Sequence, residues 1–232
     1  MFLRSLPLLL IAILAVTVSS STARAEAPKG FTPLFNGKDL TGWKGLVKNP
    51  KARAAMAKEE LAAAQKEANE NMRAHWKVVD GVLEFDGKGQ NLCTEKDYGD
   101  FELYLDWKIL EGGDSGIYLR GCPQVQIWDT EFEKYFSLGS QKGSGALWNN
   151  KDNPRFPDAK ADKPVGEWNT FFIRLAGDKL TVKLNDKLVV DKVTMENYWE
   201  RDKPLYETGS IELQNHGNTL WFRNLYVKEL KK

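Results

Sequence analysis

Residues 114–129, DSGIYLRGCPQVQIWD, alternate apolar and polar side chains with a period of two residues. One side of the pattern carries the aliphatic residues Ile117, Leu119, Val125 and Ile127, and the other carries Tyr118, Arg120, Gln124, Gln126 and Trp128. Successive side chains of a strand point to opposite faces of its sheet. The stretch therefore predicts two strands with one face in the core and one polar, aromatic face of the kind that binds sugars.

A second segment near the C-terminus, residues 209–217 with the sequence GSIELQNHG, repeats this design. Ile211 and Leu213 are expected to face the core, while Glu212, Gln214 and His216 face outward. Two separated strands thus place carboxylate, amide, guanidinium and imidazole groups on what is predicted to be one sheet face.

The rest of the chain reads mostly as strand. Residues 101–109 alternate strictly, and Asp80-Gly81 is a two-residue hairpin signal. Residues 51–74 are the exception, because they are rich in Ala, Glu, Lys and Gln and contain no Gly or Pro. We predict an all-β fold, a two-sheet jelly-roll sandwich over residues 26–232, with this helical insertion at its periphery. The helix either packs against the domain or binds a partner.

The N-terminal 25 residues have the pattern of a secretory signal peptide. Arg4 precedes an apolar run over residues 6–18, and Ala23-Arg24-Ala25 is a small-x-small cleavage pattern. The run is too short to span a membrane, and no second apolar stretch follows. We therefore expect an exported protein, periplasmic or extracellular, without a membrane span. Export permits a disulfide between Cys93 and Cys122, and the alternative is two buried thiols.

The charge balance argues against a nucleic-acid partner, because the 33 Lys and Arg residues are nearly balanced by 32 Asp and Glu residues. The sequence also contains no dinucleotide fingerprint and no Ser-His-Asp phrase.

Six phrases together resemble the 3-keto-disaccharide hydrolase domain family, also described as 3-keto-glucoside lyase and hydratase. They are FTPLFNGKDLTGW at 31–43, WKVVDGVL at 76–83, YGDFEL at 98–103, DSGIYLRG at 114–121, GEWN at 166–169, and LQNHG at 213–217 followed by FRN at 222–224. The resemblance covers residues 30–230 and implies a secreted concanavalin-like jelly roll that cleaves 3-keto-glycosides. Many family members carry Glu where this chain has Gln124, and a glutamine cannot serve as a base.

The implied chemistry starts with removal of the C2 proton, which a ketone at C3 acidifies, and continues with elimination and hydration. It needs a base near neutral pKa and a group that stabilises the enolate oxygen. We predict His216 as the base, Arg120 as the enolate clamp and Glu212 as a further group for proton transfer. The predicted substrate-binding residues are Asp114, Tyr118, Gln124, Gln126, Trp128 and Gln214. Each also has an ordinary alternative, such as a surface ion pair for Arg120 or a turn for Asp114.

Two other interpretations remain open. A non-catalytic carbohydrate-binding module would fit Gln124, and an ordinary endo-glycosidase would use spaced carboxylates such as Asp129 and Glu131. No cofactor is required by the sequence, although Asp129, Glu212 and His216 are candidate ligands for a divalent cation. The expected partner is an oligosaccharide or glycoside, and a separate oxidoreductase must form the 3-keto group.

Overall fold

Two antiparallel sheets share one apolar core in the computed structural model, which describes residues 26–231. The eight-stranded sheet contains β1 (Thr32–Pro33), β3 (Trp76–Val79), β4 (Val82–Phe85), β6 (Phe101–Ile109), β9 (Asn169–Ala176), β10 (Lys179–Leu184), β11 (Lys187–Thr194) and β13 (Leu220–Glu229). The five-stranded sheet contains β2 (Trp43–Gly45), β5 (Leu92–Thr94), β7 (Asp114–Leu119), β8 (Cys122–Trp128) and β12 (Glu212–Leu213). The predicted two-sheet jelly-roll sandwich is confirmed.

The strand order explains how distant segments of the chain meet. The larger sheet runs β11-β10-β9-β6-β13-β4-β3, with β1 beside β13, and the smaller runs β2-β5-β12-β7-β8. Strand β12, from near the C-terminus, therefore lies between β5 and β7. Its neighbour β7 pairs in turn with β8, so the two segments singled out in the sequence are adjacent in one sheet.

The predicted helix over residues 51–74 is two helices, α1 (Pro50–Ala54) and α2 (Lys58–His75). Asn49 caps α1 by accepting the Ala52 N–H, and the extended backbone of Ala57 separates α1 from α2. The two helices pack in different places, since Pro50 lies against Gly121 and Ala68 lies against Gly45. Tertiary packing thus determines where the helix is interrupted, and the amino-acid composition of residues 51–74 does not predict this interruption.

Helix α2 closes one edge of the sandwich, where it contacts β2 of the smaller sheet and β3 of the larger. Ala68 and Met72 are its buried residues. Gly45 allows the helix to pack closely against β2, because a side chain at that position would place its Cβ 2.0 Å from the Ala68 carbonyl oxygen. These contacts support the packing role for the insertion.

Residues 129–166 close the opposite edge. They contain two 3-10 helices, Glu133–Leu138 and Ser140–Lys142. Further along, Gln126 donates its N–H to Ala146 O at 2.9 Å and accepts from Gly145 N at 2.8 Å, which extends the smaller sheet beyond β8. Asp158 N donates to Val189 O of β11 at 2.8 Å. The long loop therefore joins the edges of the two sheets.

Cys93 and Cys122 are free and buried. Their Sγ atoms donate to Lys44 O and to Asn197 Oδ1, both at 3.5 Å, and burial raises the pKa of each thiol to about 12. Cys93 and Cys122 are therefore two buried thiols and do not form a disulfide.

No helix within residues 26–231 is both long and apolar enough to cross a membrane. The predicted signal peptide at residues 1–25 lies outside the described residues, and export remains a prediction.

Candidate active site

The outward face of the five-stranded sheet collects most of the polar residues that the sequence singled out. Glu212 lies directly opposite Tyr118, and Tyr118 lies opposite Gln124, so these three side chains form a row across β12, β7 and β8. Gln126 and Gln214 flank Gly116 in the next row. We call this surface the polar face, and it consists of Asp114, Tyr118, Gln124, Gln126, Glu212, Gln214 and His216.

His216 lies against Asp114 at one end of the polar face, with Nδ1 and Oδ2 3.2 Å apart. The imidazole side chain is 56% exposed, whereas the aspartate side chain is 11% exposed. Burial raises the pKa of Asp114, partly offset by His216 and by the amide of Gln126, whose Nε2 donates to Asp114 Oδ1 at 2.6 Å. A carboxylate at Nδ1 favours the tautomer that carries its proton there and leaves the Nε2 lone pair free to act as a base.

The amide of Gln126 has a fixed orientation, because its Nε2 also donates to Ser115 O at 3.0 Å and to Ile127 O at 3.1 Å. Its Oε1 accepts from Gln124 Nε2 at 2.6 Å. A hydrogen-bonded chain therefore runs from Asp114 through Gln126 to Gln124, and His216 lies against Asp114 at its start. The chain ends in Gln124 Oε1, a buried oxygen without a hydrogen-bond partner.

Gln214 Oε1 is a second buried oxygen on the polar face without a partner, while its Nε2 lies 3.5 Å from the Tyr118 hydroxyl. Buried polar atoms are nearly always hydrogen-bonded in folded proteins. Two unpaired acceptors on one face therefore point to a ligand that carries several hydroxyl donors. Gly116 lets the Gln124 side chain lie across β7, since a Cβ at Gly116 would lie 2.7 Å from the Cβ of Gln124.

Glu212 is the more deeply buried of the two carboxyl groups of the polar face, and it is 2% exposed. Burial raises its pKa to about 7, opposed by the nearby Arg53 cation and by the Ser210 hydroxyl, which donates to Oε1 at 3.1 Å. Burial, with the charge of Glu212 nearby, also raises the pKa of Tyr118. At neutral pH, Glu212 can therefore exchange a proton, and Tyr118 keeps its phenolic proton as a hydrogen-bond donor.

Arg120 is not part of this face, so the prediction that it faces outward beside Tyr118 is wrong. Its backbone adopts a left-handed conformation with φ of 55° at the turn between β7 and β8, which directs the side chain away from the sheet face. The guanidinium donates to four protein acceptors, which are Gly99 O at 2.8 Å, Gly177 O at 2.9 Å, Tyr206 O at 3.2 Å and Asp100 Oδ1 at 2.5 Å. Arg120 ties loops together at the end of the sandwich.

Trp128 does not offer a ring face to a sugar, because it is 2% exposed. Its indole Nε1 donates to Gly143 O at 3.0 Å, and Trp148 lies edge-on to it with ring centroids 5.5 Å apart. Trp148 is the more accessible of the two rings. Strand alternation does not mark Trp148, but a tryptophan inside a long loop rich in Gly and Asn is a signal for a functional position.

Asp129 and Glu131 lie beyond the end of β8. The glycosidase interpretation required them to lie on a common strand, and they do not. The carboxylate of Asp129 accepts the N–H groups of Gly112 and Glu131, both at 2.9 Å, while Glu131 pairs with Lys160. Within residues 26–231, no three His, Cys, Asp or Glu side chains are arranged to hold a metal ion. The predicted metal trio of Asp129, Glu212 and His216 is therefore wrong, since Asp129 is held in its turn and His216 pairs with Asp114.

Three comparisons relate the chain to known proteins. It is 25% identical to a 3-keto-disaccharide hydrolase of Bacteroides thetaiotaomicron, over 93% of this chain and 87% of that protein. Two crystal structures of Parabacteroides distasonis proteins, provisionally named glycosyl hydrolases, have the same fold. One has a TM-score of 0.60 and 24% identity over 87% of this chain and 94% of its own. The other has a TM-score of 0.57 and 30% identity over 68% of this chain and 91% of its own.

The model of one protein family matches residues 30–228, which is nearly all of the part that the structure describes. This chain belongs to the family of the 3-keto-alpha-glucoside-1,2-lyase-like domain.

Proposed function

We propose that this protein is a carbohydrate-active enzyme that cleaves 3-keto-glycosides by removal of the C2 proton, elimination and hydration. The observation that carries the proposal is the exposed imidazole of His216, backed by the buried carboxylate of Asp114, on a face with two unpaired amide oxygens. The family match and the relative named 3-keto-disaccharide hydrolase support the substrate class.

The ketone at C3 makes this chemistry accessible to a neutral imidazole, because the C2 carbanion delocalises onto the ketone oxygen. His216 takes the C2 proton, and the electron pair forms the C1=C2 double bond as the C1–O bond breaks. That bond's electrons leave with the oxygen of the departing group, which takes up a proton. Water then adds its hydroxyl to C1 and a proton to C2, so the net reaction is hydrolysis.

Glu212 and Tyr118 supply the remaining functions. Since the pKa of Glu212 is about 7, we assign it the proton that the leaving oxygen receives and the removal of a proton from the attacking water. The Tyr118 hydroxyl donates a hydrogen bond to the C3 oxygen as negative charge develops there. This replaces the role predicted for Arg120, whose guanidinium is occupied by protein acceptors.

The pairing of the carboxyl groups on the polar face disfavours an ordinary glycosidase. Such an enzyme needs two carboxyl groups that flank the glycosidic bond and are free to act on it. Asp114 is bound by His216 and Gln126, which suits a positioning role.

The decisive experiment measures sugar release from one disaccharide in its 3-keto form and its unoxidised form. We expect release from the 3-keto form only, with solvent deuterium incorporated at C2. Release from the unoxidised form alone would establish the glycosidase. Binding of both forms without turnover would establish a carbohydrate-binding module, in which Gln124 stands where a carboxylate is needed.

A further inference from the structure

A groove of about 600 Å³ lies beyond the β8 edge of the polar face. Trp148 forms one of its walls and contacts Trp128, which pairs with Asp114 in the sheet. Tyr198 also lines the groove. The next residue, Trp199, holds this segment over the β7–β8 turn, because its indole Nε1 donates to Gly121 O at 2.7 Å. Tyr198 is also close enough to Tyr118 to contribute, after burial, to the raised pKa of that phenol. The groove therefore lies beside the polar face and is large enough for one further ring.

Two arginines line this groove, and their surroundings differ. Arg201 is neutralised, because it pairs with Glu196 at 2.9 Å and donates to Asn149 O at 2.8 Å. The guanidinium of Arg155 instead stacks on the Trp148 ring, 3.7 Å from its centroid, and its Nε is buried without a hydrogen-bond partner. Among residues 26–231, no carboxylate forms an ion pair with Arg155.

A buried donor on an unpaired cation is costly unless a ligand satisfies it. A guanidinium is flat and presents its N–H groups as a fork, which matches the two oxygens of a carboxylate. The Asn149 Oδ1 atom of the same groove is a buried acceptor without a partner, which a hydroxyl would satisfy. Tyr198 is 39% exposed and adds a second aromatic surface.

We infer that this groove binds the leaving group of the substrate and that it favours a ring bearing a carboxylate, held by stacking on Trp148 and by pairing with Arg155. A uronic acid and a phenolic acid both have this chemistry. The inference rests on the proposed function, because it assigns the groove to the group that departs from C1.

The test compares two 3-keto-glucosides of similar size and shape but different charge, those of 4-hydroxybenzoate and of 4-hydroxybenzamide. For the wild-type protein we expect kcat/KM to favour the carboxylate substrate by roughly tenfold, mostly through KM. Arg155→Met should lower the ratio of the two kcat/KM values by about that factor, and Arg155→Lys should restore part of it. Leaving-group acidity contributes equally to this ratio in every protein, so it cancels when the ratio of a variant is compared with that of the wild type. The matched control is Arg174→Met on β9, far from the groove, which should keep the wild-type ratio.

A second readout does not depend on turnover. Calorimetry should show that free 4-hydroxybenzoate binds the wild-type protein more tightly than 4-hydroxybenzamide, and that Arg155→Met loses this difference. Turnover of both glucosides with a kcat/KM ratio that Arg155→Met leaves unchanged, or equal binding of the two phenols, would overturn the inference and leave the proposed function standing. If neither glucoside is turned over, the proposed function fails, and the binding comparison alone decides whether the groove recognises a carboxylate.

Discussion

The two histidines of this chain each pair with an aspartate through Nδ1, but the pairs are built in opposite ways. Nδ1 of His75 lies 3.0 Å from Asp86, and Nδ1 of His216 lies 3.2 Å from Asp114. In the first pair the imidazole is 25% exposed and the carboxylate 41%. In the second pair the imidazole is 56% exposed and the carboxylate 11%. The two pairs therefore differ in which partner is buried.

The pKa values of the two aspartates shift in opposite directions, in line with their burial. The hydrogen bond from His75 lowers the pKa of Asp86, whereas burial raises the pKa of Asp114. His75 is the last residue of α2, and its carbonyl accepts the Asp86 N–H at 3.2 Å, so this pair fixes the helix end to the sheet. A buried carboxylate behind an exposed imidazole instead leaves the base open to a substrate. Distance alone would not distinguish the structural pair from the one that we propose to be catalytic.

The largest expected effect separates the two histidines. His216→Ala should lower kcat on a 3-keto-glycoside by about 10²- to 10⁴-fold, because it removes the proposed general base. His75→Ala is the matched control and should keep kcat within about twofold, since His75 lies at the helix end, is outside the polar face and has its imidazole hydrogen-bonded to Asp86. Steady-state kinetics with circular dichroism of both variants provides the measurement. Equal losses in two folded variants would contradict the assignment of His216.

A smaller effect concerns Glu212, the other buried acid of the polar face. Its pKa in the folded protein is about 7, above the ordinary 4.5, so the fold favours the protonated carboxyl. This stabilisation is fully present below pH 4.5 and is lost as the pH rises through 7, by about 3 kcal/mol in total. Relative to the wild type, Glu212→Gln should therefore gain about that much free energy of unfolding between pH 4 and pH 8.

Urea unfolding at the two pH values measures this gain. Glu212→Gln should also lose the fall in kcat above pH 7 that is expected when a protonated Glu212 is required. A variant whose stability follows the wild type at every pH would show that the Glu212 pKa is ordinary.

The smallest expected effect is a difference in sign between the two aspartates. The lowered pKa of Asp86 gives stability above pH 3.8 that is lost as the pH falls, whereas the raised pKa of Asp114 gives stability at low pH that is lost as the pH rises above 3.8. Relative to the wild type, Asp114→Asn should therefore gain stability from pH 3 to pH 7, while Asp86→Asn should lose it. Thermal unfolding of both variants across this pH range measures these changes in stability. Changes of the same sign in the two variants would contradict the contrast between the pairs.

The polar face was predictable because strand alternation is a local property. The period of two placed Tyr118, Gln124, Gln126, Glu212 and Gln214 on outward faces, and the structure brings them together. Arg120 follows the same period yet faces elsewhere, because the pattern does not mark where β7 ends and the left-handed turn begins. Alternation thus identifies a face only as far as the strand continues.

The sequence by itself determined the fold class, the two strand segments that carry the polar face and the residue types available for proton transfer. These follow from side-chain periodicity and composition, which need no knowledge of partners. Only the tertiary structure decided that Asp114 is buried behind His216, that Glu212 has a pKa near 7 and that Arg155 stacks unpaired on Trp148. Burial and pairing depend on residues distant in the chain, and these properties convert ordinary polar side chains into a site.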